Sequence, residues 1–256
     1  MIYTSNIFRR VSLLAAICSL MLLSACSSVP EKQDGELPAM HTVESVVKED
    51  VTYNIDVYDP WEGMNRGIYR FNAGFDRYVF LPVVGAYTTI MPDFAEDGVS
   101  NFMNNIQDIP NAINSALQLK PKATVDSVGR LLVNTTVGIF GLFDVATKWG
   151  INEHDEDFGQ TLGHYGVGDG PYIVIPFLGP SNLRDTTGLV TDAIVMAEID
   201  PLNLDDHSDR EVAYWLLNSI DARHRNNFRY YSTGSPFEYE MIRMLYTNKR
   251  ELDIAR

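Results

Sequence analysis

Beyond residue 26 the chain has no cysteine; its only two are Cys18 and Cys26. The long remainder is therefore left without a disulfide framework and without thiolate metal ligands, so packing and polar contacts must hold it together. Long apolar runs are also missing there: no segment approaches the roughly 20 apolar residues that a membrane-crossing helix needs. Basic residues are scarce, with 20 Lys and Arg against 34 Asp and Glu, a formal charge of −14. Such a surface repels phosphate backbones and anionic head groups, which argues against nucleic acid as a partner.

What is present begins at the N-terminus. Arg9 and Arg10 precede an uncharged, mostly apolar stretch of 13 residues, Val11 to Leu23, and Ser24 and Ala25 then lead into Cys26. This order is that of a secretory signal segment. With a cysteine directly after the small pair, it reads as a bacterial lipoprotein signal, residues 1–25, cut before Cys26, which would carry the acyl chains. Ser27 rather than an aspartate follows, the pattern expected of a lipoprotein sent to the outer membrane. Loss of the signal would leave 34 acidic against 18 basic residues, or −16. More than one acyl chain gives stable anchoring, at about 0.8 kcal/mol per buried methylene. Residues 26–58, opening with Ser27, Ser28, Pro30, Glu31 and Lys32, are too polar to bury much and are expected to be a lipidated flexible tether, with a span of roughly 30 Å. Thr42 to Val47 fits either a strand or a helix.

A single domain is expected over 59–256. Asp59-Pro60-Trp61-Glu62 places proline and acid where helix starts favour them, and a helix is expected over 62–79. Pro82 and Pro92 are expected to break the chain, with helices following over 93–105 and, started by Pro110, over 110–119. Pro121 starts another, on which Val125, Val128, Leu132 and Thr135 share a face. Gly138-Ile-Phe-Gly-Leu-Phe143 reads as an apolar turn into Asp144-Val-Ala146. Residues 150–183 are rich in glycine and proline and are expected to be mostly loop, with a strand over Tyr172 to Phe177. Ser208 and Glu211 form a capping box, ahead of Val212, Trp215, Leu216 and Ile220 at helical spacing. A last helix is expected over 236–252. The fold class is mostly α, built of amphipathic helices with a Gly/Pro-rich loop region.

The chemistry-bearing clusters are weak. Glu153-His-Asp-Glu-Asp157 offers divalent-metal ligand types, but a contiguous run rarely converges, so a solvated acidic loop is the expectation and no metal or other cofactor is implied. His164, within Gly163-His-Tyr-Gly-Val-Gly-Asp-Gly-Pro171, could act as a base, yet no serine partner is visible, and the segment lacks the Gly-Lys-Ser/Thr of a phosphate loop. No catalytic residue is assigned. Val137 to Ala146 suits either a core hairpin or the wall of a lipid passage, with composition favouring the core. The amphipathic stripes likewise suit a core or a bilayer interface. Trp61, Tyr69, Phe71, Phe75, Tyr78 and Phe80 crowd the first helix, alongside Arg66, Arg70 and Arg77.

Four segments in order resemble the MlaA (VacJ) family of outer-membrane lipoproteins: Asp59-Pro-Trp-Glu-Gly-Met-Asn-Arg66, Gly98-Val-Ser-Asn-Phe102, Gly138-Ile-Phe-Gly-Leu-Phe-Asp-Val-Ala146 and Phe158-Gly-Gln-Thr-Leu-Gly-His-Tyr-Gly-Val-Gly-Asp-Gly-Pro-Tyr172. Pro176-Phe-Leu-Gly-Pro180 and Leu183-Arg-Asp185 continue the pattern. The resemblance implies a helical ring around an amphipathic channel, lying on the periplasmic-leaflet side of the outer membrane. It implies removal of misplaced phospholipid from the outer leaflet, transfer to a soluble periplasmic lipid-carrier protein, and association with a trimeric porin. It places Gly138, Phe140, Gly141 and Phe143 in a hairpin beside the channel, and Asn65, Phe71 and Asn72 on a helix that controls it. The tether before Asp59 is long for the family, and Asp169 departs from its glycine motif. A porin-organising structural lipoprotein, and an envelope hydrolase using His164 with an acid from 153–157, are the rivals.

Overall fold

The computed structural model describes residues 57–204 and 208–256. The signal segment, Cys26, Thr42 to Val47 and the tether up to residue 56 lie outside the described residues. So does the side chain of Ser208, and with it the capping box. The helices are α1 (Glu62–Phe75), α2 (Leu81–Ile90), α3 (Asp93–Leu117), α4 (Pro121–Thr136), α5 (Val145–Lys148), α6 (Phe158–His164), α7 (Leu183–Ile199), α8 (Ser208–Arg225) and α9 (Glu238–Ala255), and the strands are β1 (Tyr172–Ile175) and β2 (Gly179–Asn182). The fold is mostly α. The two strands pair antiparallel, with Tyr172 opposite Asn182 and Ile175 opposite Gly179.

Three expected boundaries are corrected. Pro82 does not break the chain, because a π-helical turn, Asp76–Phe80, carries α1 into α2. The Leu81 N–H reaches back to the Asp76 carbonyl, and this wider turn makes room for the proline ring one residue on. Pro110 does not start a helix but lies buried inside the 25-residue α3. A mid-helix proline costs about 3 kcal/mol; packing along α4 offsets it, and Asn114 Nδ2 donates to the Pro110 carbonyl at 3.1 Å. The segment 158–164 is helix rather than loop, started by Asp157, whose side chain accepts from the Gln160 N–H. Its glycines serve close packing: a Cβ on Gly188 of α7 would lie 2.2 Å from the Gly159 nitrogen. By contrast Pro92 does separate two helices, with Met91 extended before it. The strand expected at Tyr172 is present, and its partner β2 is an addition to the reading.

After α3 the chain turns with Leu119 at φ 56°, while Leu119 N–H and Lys120 N–H return to the carbonyls of Ala116 and Ser115. This is a Schellman ending with leucine in the usual glycine place, and it aims Pro121 straight into α4.

The buried apolar cluster is small and rich in tyrosine: Tyr69, Tyr172, Val174 and Tyr239, with Val57, Ile68, Tyr230, Ile242 and Tyr246 against it. It joins α1, the strands and α9. Each hydroxyl named next is anchored, as buried tyrosines require: Tyr69 donates to Glu238 at 2.8 Å, Tyr239 to Asp59 at 2.5 Å and Tyr246 to Asp185 at 2.8 Å. Arg250 of α9 forks onto Asp157 and Asp185, tying α9 to α6 and α7 with contacts of 2.8 to 3.1 Å.

Elsewhere the burial order is inverted. On α4 the buried residues are Ala123, Ser127, Arg130 and Asn134. The apolar stripe of the same helix faces out, with Val125 70% and Leu132 60% exposed. Ile90, Phe94, Leu189, Val190, Ile194, Val212, Trp215 and Leu216 are exposed as well. Among the described residues, no helix is long and apolar enough to cross a membrane.

Candidate functional site

Residues 137–143 leave the end of α4 as an irregular hairpin and return into α5. Backbone hydrogen bonds close it: Phe140 N–H to Thr135 O at 2.9 Å, Gly141 N–H to Asn134 O at 2.8 Å and Phe143 N–H to Gly138 O at 2.9 Å. Ile139 and Phe140 stand at φ 54° and 55°, a region costly for branched and bulky side chains. Their side chains nonetheless point outward; Phe140 is 74% exposed, and Val137, Leu142 and Phe143 are exposed too. The hairpin is thus an apolar tip on a tightly seated base.

Two glycines make the seat possible. A Cβ at Gly138 would lie 2.2 Å from the Phe143 carbonyl oxygen and 2.5 Å from that of Asn134. At Gly141, φ 88°, it would lie 2.7 Å from the Asn105 Cβ. Beneath the seat is a polar layer. Asn134 Oδ1 accepts from Val145 N–H and Ala146 N–H, both at 2.9 Å, while its Nδ2 donates to Asp144 at 3.2 Å. Asn105 donates to Thr135 at 3.0 Å, and Asn101 to the Leu142 carbonyl at 3.2 Å. Arg130 reaches Asp144, Thr147 and the Ile151 carbonyl. Burial opposes ionisation of Asp144, but hydrogen bonds from the Thr147 hydroxyl and N–H, aided by Arg130, hold its carboxyl below the usual range. For Asp108, across from Arg130, burial wins over the cation and pushes the carboxyl up to about 7.

The family resemblance grouped Asn65, Phe71 and Asn72 together, and the structure gives them different surroundings. Asn65 and Asn72 are buried, two helical turns apart on α1, and each pairs with the β-hairpin as donor and acceptor. Asn65 donates to Tyr172 O at 3.0 Å and accepts from Val174 N–H at 2.9 Å. Asn72 donates to Ile175 O at 3.0 Å and accepts from Phe177 N–H at 2.8 Å. Phe71 lies outside, with Phe177 at 5.3 Å and Phe75 at 6.3 Å between ring centroids. The sequence reading brought out the hairpin but not its support: Asn105, Asp108, Arg130 and Asn134. The available signal was the 127, 130, 134 spacing of polar residues opposite the apolar stripe of α4.

The other clusters are accounted for by neighbours. Glu156 accepts from Lys120 at 2.9 Å, Asp157 pairs with Arg250, and His154 Nε2 lies 3.0 Å from Asp126. Glu153, His154, Asp155 and Glu156 line an open cleft of about 820 Å³ between the start of α4, residues 153–160 and the end of α9. Among the described residues, no three His, Cys, Asp or Glu side chains converge to hold a metal ion. His164 is exposed, its ring edge-on to Tyr165 at 5.2 Å.

The chain is 39% identical over 170 residues to an uncharacterised protein of Rickettsia typhi, covering 66% of each chain. It is 39% identical over 172 residues to the intermembrane phospholipid transport system lipoprotein MlaA of Escherichia coli K12, covering 64% of this chain and 65% of that one. The matched region thus spans just under two thirds of these relatives. A solved structure described as "Structural basis for maintenance of bacterial outer membrane lipid asymmetry" superposes with a TM-score of 0.62 at 29% identity, covering 77% of this chain and 98% of that one. The family profile described as MlaA lipoprotein matches residues 57–253, from the first described residue nearly to the end of α9, and the chain belongs to that family.

Proposed function

We propose that this chain is an outer-membrane lipoprotein, anchored through Cys26 on the periplasmic-leaflet side, that removes mislocalised phospholipid from the outer leaflet and hands it to a soluble periplasmic carrier. The observation that carries this reading is the inverted burial of α4 and its hairpin. Arg130, Asn134 and Ser127 are inside, while Val125, Leu132 and Phe140 face out. A protein surrounded by water gains nothing from that arrangement, whereas one seated in acyl chains does. The relatives' names and the asymmetry-related structure support the same assignment.

The physical task is to move a charged head group past hydrocarbon. An unpaired charge in an apolar medium is very costly, so a passage needs a polar wall for the head group and an apolar wall for the tails. The helices supply the two kinds of surface, and on this reading the hairpin lines such a passage, with its exposed Phe140 and Phe143 as part of the apolar wall. No bond is made or broken in the lipid, so no enzymatic step is asked of this chain; direction would come from the acceptor's affinity. A trimeric porin would hold the ring in place in the membrane.

Outer-leaflet phospholipid in cells lacking the chain, probed with a surface-restricted phospholipase, tests this. A rise that is reversed by the wild-type chain is expected. An unchanged outer leaflet would leave only a porin-organising or hydrolytic role.

A further inference from the structure

We propose that Arg130, Asp108, Asn134 and Asp144 form a buried latch that positions the hairpin 137–143, and that lipid passage depends on the angle this latch sets. The inference rests on reading the hairpin as part of the lipid path.

The latch begins at Arg130, a single side chain on α4 that is 1% exposed. Its planar fork serves three separate elements. Nη2 meets Asp144 Oδ2, where the hairpin ends, at 3.2 Å. Nη1 donates to Thr147 Oγ1 of α5 at 2.8 Å and to the Ile151 carbonyl at 3.1 Å. Nε faces Asp108 Oδ2 of α3 at 3.5 Å. One turn later, Asn134 holds the middle of the hairpin and its exit. Its carbonyl takes the Gly141 N–H, and its side chain takes the N–H groups of Val145 and Ala146. The middle of the hairpin, its exit and the following helix are therefore fixed to one stretch of α4.

Two observations separate positioning from plain stabilisation. The first is strain. Ile139 and Phe140 hold positive φ with their side chains in the open, so the tip gains no packing in return. Such residues cost about 1–3 kcal/mol each and persist only where the surroundings over-determine them. The second is incompleteness. Asp108 Oδ2 and Arg130 Nε are buried and face each other at 3.5 Å, too far for a good hydrogen bond, and neither has another hydrogen-bond partner among the described residues. A buried ion pair adds little to stability over apolar residues of similar volume, and one left half-satisfied adds less. What this pair does supply is a fixed direction for a guanidinium that the hairpin's exit leans on.

The test uses the full lipoprotein in detergent and in cells. Arg130→Met combined with Asp108→Leu keeps the site filled and removes the charges together. Hydrogen exchange at the Gly141 and Phe143 amides is expected to quicken at least tenfold, with α9 amides such as Leu245 unchanged. In cells the same variant should accumulate outer-leaflet phospholipid. Unchanged hairpin exchange overturns the latch. Faster exchange with a normal outer leaflet keeps the mechanical part but overturns the dependence of lipid passage on it, and with it the reading of the hairpin as lipid path. If α9 exchange rises too, the double variant has unfolded, and Asp144→Asn decides. It preserves shape and removes one charge, with the same tenfold change expected at the hairpin alone; no change there overturns the proposal.

Discussion

Gly138 and Gly74 make opposite predictions for one substitution. A Cβ at Gly138 runs into two backbone carbonyls, whereas at Gly74, inside α1, nothing lies within 4 Å. Gly138→Ala should therefore cost about 2 kcal/mol or more, because backbone must move. Gly74→Ala should gain about 0.5–1 kcal/mol from helix propensity alone. Urea midpoints of the two variants check this, and equal midpoints would remove the argument that the hairpin is seated on backbone contacts. Phe140→Asp is the functional counterpart: on an exposed tip it should leave the midpoint nearly unchanged while raising outer-leaflet phospholipid. Asp108 gives a pH prediction with a definite sign. Burial raises its folded pKa to about 7 from an ordinary 3.8, with Arg130 pulling it down and Glu153 and Asp144 adding to the rise. Between those values the folded state holds more protons than the unfolded chain, so its contribution to stability falls as pH rises and is fully lost above pH 7. Asp144 acts oppositely: its lowered pKa stabilises at neutral pH and is lost on acidification below the ordinary carboxylate range. Asp108→Asn should therefore flatten the stability loss between about pH 4 and 7, read as the urea midpoint at each pH. A loss as steep as in the wild type would reassign the slope to another group.

At the scale of elements, the β-hairpin is held less by its own short ladder than by two asparagines of α1. Asn72→Ala would leave the Phe177 N–H without its acceptor, at about 1–3 kcal/mol for such a partly buried group. Faster exchange of the Phe177 amide is expected, with Phe71 and Phe177 losing their edge-to-face contact; unchanged exchange would show that the aromatic patch suffices. The same elements show how much was legible in the sequence. Regular periodicity and a strong terminator read correctly, as at α1 and Pro92. Pro82 and Pro110 misled because each is accommodated by something outside its own segment: a π-turn upstream in one case, a long packed neighbour in the other. Gly159 and Gly163 misled because their role is close packing, against Gly188 and Ile254, and not chain reversal. Of the site, the hairpin was legible as an apolar, glycine-flanked run, but its composition favoured a place in the core, whereas its apolar side chains are exposed. Its support was not legible, because Asp108 meets Arg130 and Asn105 meets Thr135 only when α3 packs along α4. Local pattern carries no record of that pairing.

At the scale of the molecule, an apolar outside and a polar inside should show as affinity for a lipid surface independent of the acyl anchor. Val125 and Leu132 lie seven residues apart on one face of α4, with Phe140 just beyond the helix end, all exposed. Burying each such side chain in acyl chains gains about 1.5–3 kcal/mol. The surplus of acidic residues works against anionic vesicles and is screened by salt. A body spanning 57–256, without signal or acyl group, is therefore expected to float with phosphatidylcholine vesicles, and to do so with anionic vesicles only when salt is raised. Val125→Lys with Leu132→Lys should cut the phosphatidylcholine partition at least tenfold, since two apolar contacts are lost and two charges must stay hydrated. The substitutions touch no buried contact, so circular dichroism should stay unchanged. If the partition also stayed unchanged, the outward stripe of α4 would not be a bilayer surface. It would then have to be covered by protein, which would favour the porin-organising role over lipid passage.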